Sequence, residues 1–284
     1  MTAARDLEGF ERLASGDSSA FREARLVVHW LAQLPSAAGA SLAPAMDDFS
    51  HTSLSWLAEQ ELLAGVVLPD ERRAALDVGG LRLLVLAADG TVAGEMALRG
   101  ATLDEARSWL GGELGGEVKL PEHELPVHPI GEGAPVPDVA TSDLNDLARW
   151  FGNAARVLDQ VTALHEHAAE VRCWPHHFDI ATLISLDPAG ATDAEEARSV
   201  GVGMTPGDGG VSVPYFYITP WPYPPADQLP KLEGGGHWNT EGWVGALLRG
   251  DELHGDAATQ RDQVAAFVTS AVSASLTLLS VGTV

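Results

Sequence analysis

The sequence predicts an α+β fold in which antiparallel β-sheets pack against flanking helices. Three observations carry that expectation. Apolar residues recur at helical spacing in several segments, and short apolar runs are punctuated by Gly-Gly and Asp-Gly pairs. A proline-rich stretch without periodicity separates two successions of helix, strands and helix. That repeated order suggests two similar halves.

Phe21, Ala24, Val28 and Leu31 lie on one helical face, so 19–33 is expected to be an amphipathic helix. A strand-like stretch follows at Ser53–Ala58. Ala74–Val78, Leu81–Ala87 and Thr91–Leu98 are three apolar runs separated by Gly79-Gly80 and Asp89-Gly90. Both pairs accept the positive φ of two-residue hairpin turns, which predicts a three-stranded meander. Thr102 with Glu105 three residues on is a capping box opening a helix. Gly111-Gly112 is expected to stop that helix.

From Gly115 to Thr141, five prolines interrupt any periodicity and predict an extended crossing segment. The expected organisation is an N-terminal half over 1–116, the crossing over 117–141 and a C-terminal half over 142–284. His123 and His128 read as solvated linker residues. Ser142 opens the longest helix, whose Leu144, Leu147, Phe151, Ala154, Leu158 and Val161 form an apolar seam. His165 falls next on that seam, where a helix C-terminus favours an imidazole. Phe178–Leu186, Ser199–Met204, Val213–Pro220 and Trp243–Leu248 read as strands, with Gly207–Gly210 as the loop between the second and third. A final helix is expected from about Ala258, with Asp256 as its N-cap.

The chain has 284 residues, 45% hydrophobic and 20% charged, which excludes disorder and a collagen-like repeat. Seventeen basic against forty acidic residues give a net charge of −23. Such a surface repels phosphate backbones and anionic lipid, so neither nucleic acid nor a membrane is expected as a partner. The single Cys173 excludes a disulfide scaffold, and the first twenty residues hold no apolar run of a secretory signal. A reducing cytoplasm is therefore expected. Val264–Val284 lacks charged residues, yet a third of it is serine or threonine. That composition predicts a helix of the folded body rather than a membrane anchor. Nothing in the sequence fixes an oligomeric state.

No G-x-G-x-x-G, Walker loop, G-x-S-x-G elbow, H-E-x-x-H or paired CxxC occurs, which argues against the familiar nucleotide and hydride enzymes. Residues 174–243 hold half the aromatic residues, every tyrosine among them, together with His176, His177 and His237. Strand alternation sorts this block into two faces. Phe178, Ile180, Val202, Met204, Phe216, Ile218, Ala246 and Leu248 suit a core. The opposite set comprises His177, Asp179, Gly201, Gly203, Tyr215, Tyr217, Glu241, Trp243 and Gly245. The glycines would leave room and the aromatics would wall a pocket with polar tips.

On this reading the chain binds a small molecule through Trp174, His176, His177, Asp179, Tyr215, Tyr217, His237, Glu241 and Trp243. Two alternatives stay open. His177 paired with Asp179 is a candidate general base, and with His237 and Glu241 a candidate site for a divalent metal in a hydrolase-like enzyme. Exposed tryptophans would instead suit a protein-interaction module. The aromatics and the His–Asp pair also have a purely packing role open to them. Cys173 beside His176 reads as a small apolar residue before it reads as a nucleophile.

The blocks Trp174-Pro175-His176-His177-Phe178-Asp179, Pro214-Tyr215-Phe216-Tyr217 and His237-Trp238-x-x-Glu241-Gly242-Trp243 resemble a bacterial family of domains of unknown function. Leu42-Ala43-Pro44 and the His51 strand resemble that family's opening. The resemblance covers most of the chain, from about Arg25 to the last helix. It implies the fold and brings no activity, substrate or cofactor.

Overall fold

The structure, a computed structural model, describes residues 7–188 and 196–281. Among these residues are four α-helices and two antiparallel sheets, an α+β architecture with helices flanking the sheets. The last three residues of the uncharged C-terminal stretch lie outside the described residues. Two compact units divide the chain. One comprises 18–148 with 172–179, and the other comprises 1–17, 149–171 and 180–284. The proline-rich segment 117–141 lies within the first of these.

In the first unit, β1 (Ser55–Leu57), β2 (Leu62–Ala64), β3 (Arg73–Asp77), β4 (Arg82–Leu86) and β5 (Val92–Ala97) form a sheet in sequential order. The expected meander is β3 to β5, with Leu76 opposite Leu83 and Ala75 opposite Leu84 across its buried centre. Helix α1 (Ser19–Leu42) begins where Ser18 Oγ accepts from the Phe21 amide. It runs nine residues beyond its expected end and carries Pro35 in its interior. From Leu31 to Gly39 every residue is buried. A helix enclosed on all sides gains enough from burial to override the local stop signal of a proline. Glycines make that enclosure possible, since a Cβ on Gly65 would lie 2.6 Å from the Pro35 carbonyl oxygen.

Helix α2 (Leu103–Leu114) opens with the expected capping box, both arms of which are present between Thr102 and Glu105. It does not stop at Gly111-Gly112. It ends at Gly115, whose φ of 73° lets its N–H turn back onto the Gly111 carbonyl. The positive φ, not the glycine pair, terminates the helix. The crossing segment also differs from a solvated linker. His128 is buried, its Nδ1 accepts from the Ile130 amide, and its Nε2 lies 3.2 Å from Glu23 Oε1.

Helix α3 (Thr141–Leu164) contributes its residues from Arg149 onward to the second unit, where it is joined by α4 (Ala257–Val281). Asp256 caps α4 as expected, its Oδ1 accepting from Thr259. The second sheet contains β6 (Arg172–Trp174), β7 (Asp179–Ser185), β8 (Ser199–Thr205), β9 (Tyr215–Trp221), β10 (His237–Asn239) and β11 (Gly245–Arg249). Its order is β10-β11-β9-β8-β7-β6.

Cross-strand register gives the second sheet a core row, Ile180–Met204–Phe216–Leu248, all buried. The neighbouring row on the opposite face is Ala181–Gly203–Tyr217–Leu247–His237. The sequence alternation therefore sorts β8, β9 and β11 correctly. The N-terminal segment is clasped to this unit. Leu13 exchanges backbone hydrogen bonds of 2.8 and 3.1 Å with the Gln260 amide group, and Glu11 does the same with Asn153. Among the described residues α4 is the one helix long and apolar enough to cross a membrane, with 44% of its most apolar window buried.

Candidate functional site

The expected site residues fall in both units. Trp174, His176, His177 and Asp179 belong to the first unit. Tyr215, Tyr217, His237, Glu241 and Trp243 belong to the second.

In the first unit, Pro175–Phe178 is a turn and not the start of a strand, because β7 begins at Asp179. Alternation therefore does not place His177 and Asp179 on one strand face. Phe178 takes a left-handed φ of 57°, a conformation that costs a non-glycine residue about 1 kcal/mol or more. The surroundings hold it there. The Phe178 amide donates to the Trp174 carbonyl at 2.7 Å, and its buried ring stacks on His29 with centroids 4.9 Å apart.

Three further residues complete the turn's support: His29 and Gln33 from α1, and His123 from the crossing segment. His29 Nε2 donates to the Pro175 carbonyl at 2.9 Å, and the Gln33 amide nitrogen donates to the same oxygen at 2.7 Å. Gln33 Oε1 in turn accepts from His123 Nε2 at 2.9 Å. His29 and Gln33 are four residues apart, hence on one helical face. They are polar exceptions in the buried half of α1, which is the sequence signal that marks them. Nothing local links either to His123.

His176 and His177 stand exposed on this anchored turn, their rings perpendicular with centroids 4.3 Å apart. His176 also meets His123 at 5.8 Å and Trp174 at 6.3 Å, edge to face. Burial pushes the His29 imidazole down to about 4 despite its hydrogen bond to Pro175, which opposes the shift. His123 is lowered by burial and then by His177, and His176 by burial and then by His177 and His123. At neutral pH these three rings are uncharged, each with one donor and one acceptor nitrogen. Cys173 is fully buried, and burial followed by the Asp179 charge raises its thiol well above the ordinary value. That environment makes it inert.

In the second unit, the expected pocket walls occupy the glycine spaces themselves. A Cβ on Gly203 would overlap the Tyr217 phenol, and one on Gly245 would overlap the Trp243 indole. Gly201 faces only Thr219. The Tyr215 hydroxyl donates to Asp208, whose other oxygen accepts from the Gly210 and Val211 amides and pins that loop. Asn239 holds the turn before β11 by donating to the Glu241 and Trp243 carbonyls. His237 Nδ1 lies 3.6 Å from Glu252 Oε1, a partner other than the expected Glu241.

The four residues of the expected metal grouping divide between the units, His177 and Asp179 in the first and His237 and Glu241 in the second. Among the described residues no three His, Cys, Asp or Glu side chains are arranged to hold a metal ion. Comparison with protein-family models, with curated proteins and with solved structures finds no match for this chain, so the family resemblance rests on the quoted residue blocks.

Proposed function

We propose that the chain binds a small, planar, uncharged molecule at the Pro175–Phe178 turn, with Trp174, His123, His176 and His177 as its contacts. The observation that carries this reading is the double anchoring of the Pro175 carbonyl by His29 and Gln33, beneath two exposed imidazoles. Rings held in advance lose little freedom on binding. Perpendicular imidazoles offer polar nitrogen edges to a heteroaromatic ring, and Trp174 offers a face. The net charge of −23 supports an uncharged ligand over an anion, and the same charge speaks against nucleic acid or an anionic membrane as a partner.

The test is thermal shift of the full chain at pH 7.5 against adenine, nicotinamide, uracil and riboflavin. A stabilising compound is expected to lose its effect in His176→Ala and His177→Ala, whose unliganded melting stays near that of the parent because both residues are exposed. Equal stabilisation of parent and variants, or none by any compound, overturns the reading.

A further inference from the structure

A separate groove lies between α3 and α4, with a volume of about 240 Å³. Val157 and Val161 of α3 and Val268 and Val272 of α4 are buried and form its floor. Leu164, 68% exposed, and Leu276 stand at its rim.

We propose that this groove is a binding site for one unbranched, uncharged aliphatic chain of about eight to ten carbons carrying a hydrogen-bonding head group. The length of the lined run sets that number. Between Val157 and His165 the helical rise of about 1.5 Å per residue gives a run of roughly 12 Å. An extended chain of ~1.5 Å C–C bonds covers that run in about nine or ten carbons.

The polar groups on the lining are few. Among the described lining residues His165 is the one ionisable side chain, and Gln160, Thr269 and Ser273 are uncharged hydrogen-bonding groups. None of the described lining residues supplies a fixed cation for a carboxylate or phosphate, which favours a neutral head such as a hydroxyl. Charge also bears on larger occupants. A second copy of a chain of charge −23 is repelled, as is an anionic bilayer. A narrow uncharged tail meets no such repulsion.

Calorimetric titration of the full chain with hexanol, octanol, decanol and dodecanol tests the assignment. One molecule is expected to bind per chain, with Kd falling about fourfold per methylene up to the groove's length and levelling at dodecanol. Ala265→Trp, at a half-buried lining position, is expected to fill the groove and abolish binding. Leu164→Asn, at the exposed rim, keeps the fold and is expected to weaken decanol at least fourfold. His176→Ala should leave decanol binding unchanged, which separates this site from the imidazole turn. Absence of binding, a Kd independent of chain length, or unchanged affinity in Leu164→Asn overturns the proposal. It is equally overturned if Leu164→Asn abolishes a concentration-dependent dimer in sedimentation or flotation with phosphatidylcholine vesicles. Those results assign the groove to a second copy or to a bilayer.

Discussion

Burial lowers the His29 imidazole from 6.5 to about 4, which makes this single ring a source of acid sensitivity. The unfolded chain takes up the proton at the higher value, so the stability contributed by the neutral ring is whole above about pH 6.5. It is lost as pH falls towards 4, and over that interval the loss amounts to about 3 kcal/mol. His123 and His176, both lowered, add in the same direction. Urea unfolding at pH 7.5, 5.5 and 4.5 should show stability falling with pH. His29→Gln, which keeps a donor for the Pro175 carbonyl, should flatten the dependence. A parent profile that is level across this range contradicts the buried neutral ring.

Among the elements, α2 separates two signals that sequence reading conflates. Its start was legible, because Thr102 and Glu105 satisfy each other's backbone amides within four residues. Its end was not, because Gly111-Gly112 is compatible both with stopping and with continuing, and the positive φ at Gly115 is a property of the backbone. Thr102→Ala should cost about 1 kcal/mol through loss of the cap. Gly112→Ala, at a position with open space where a Cβ would stand, should add about 0.5–1 kcal/mol. Urea midpoints moving in the same direction for both variants would argue against this placement of the helix end.

The α1 end and the Pro175–Phe178 turn share a cause of illegibility. Pro35 carries a local stop signal that enclosure of 31–39 overrides. Phe178 reads as a strand residue until its stacking on His29, more than a hundred positions away in sequence, holds it left-handed. Both are tertiary effects. The meander β3–β5 and the two-faced pattern of β8, β9 and β11 were legible because period-two alternation and Gly-containing turns are local. The glycines of the second sheet were correctly placed on one face. What fills them, the Tyr217 and Trp243 rings, depends on side-chain direction that alternation does not give.

At the scale of the whole molecule, a net charge of −23 sets a repulsion that every folded contact works against. Screening shortens its reach from about 30 Å at 0.01 M salt to about 10 Å at 0.1 M. The melting temperature should therefore rise as sodium chloride is increased from 10 to 300 mM, in parent and His29→Gln alike. A melting temperature that falls over that range would show that attractive ion pairs outweigh the repulsion.

The clasp between Leu13 and Gln260 spans 247 positions, and the unit that contains it also draws on residues 149–171. Such remote pairings are slow to form, because the loop between them must close first. A nascent polypeptide leaving the ribosome carries Leu13 out 247 residues before Gln260. This unit therefore cannot close until Gln260 has emerged. No contiguous gene fragment encodes it, and splitting the chain at the proline-rich crossing separates Leu13 from its partner.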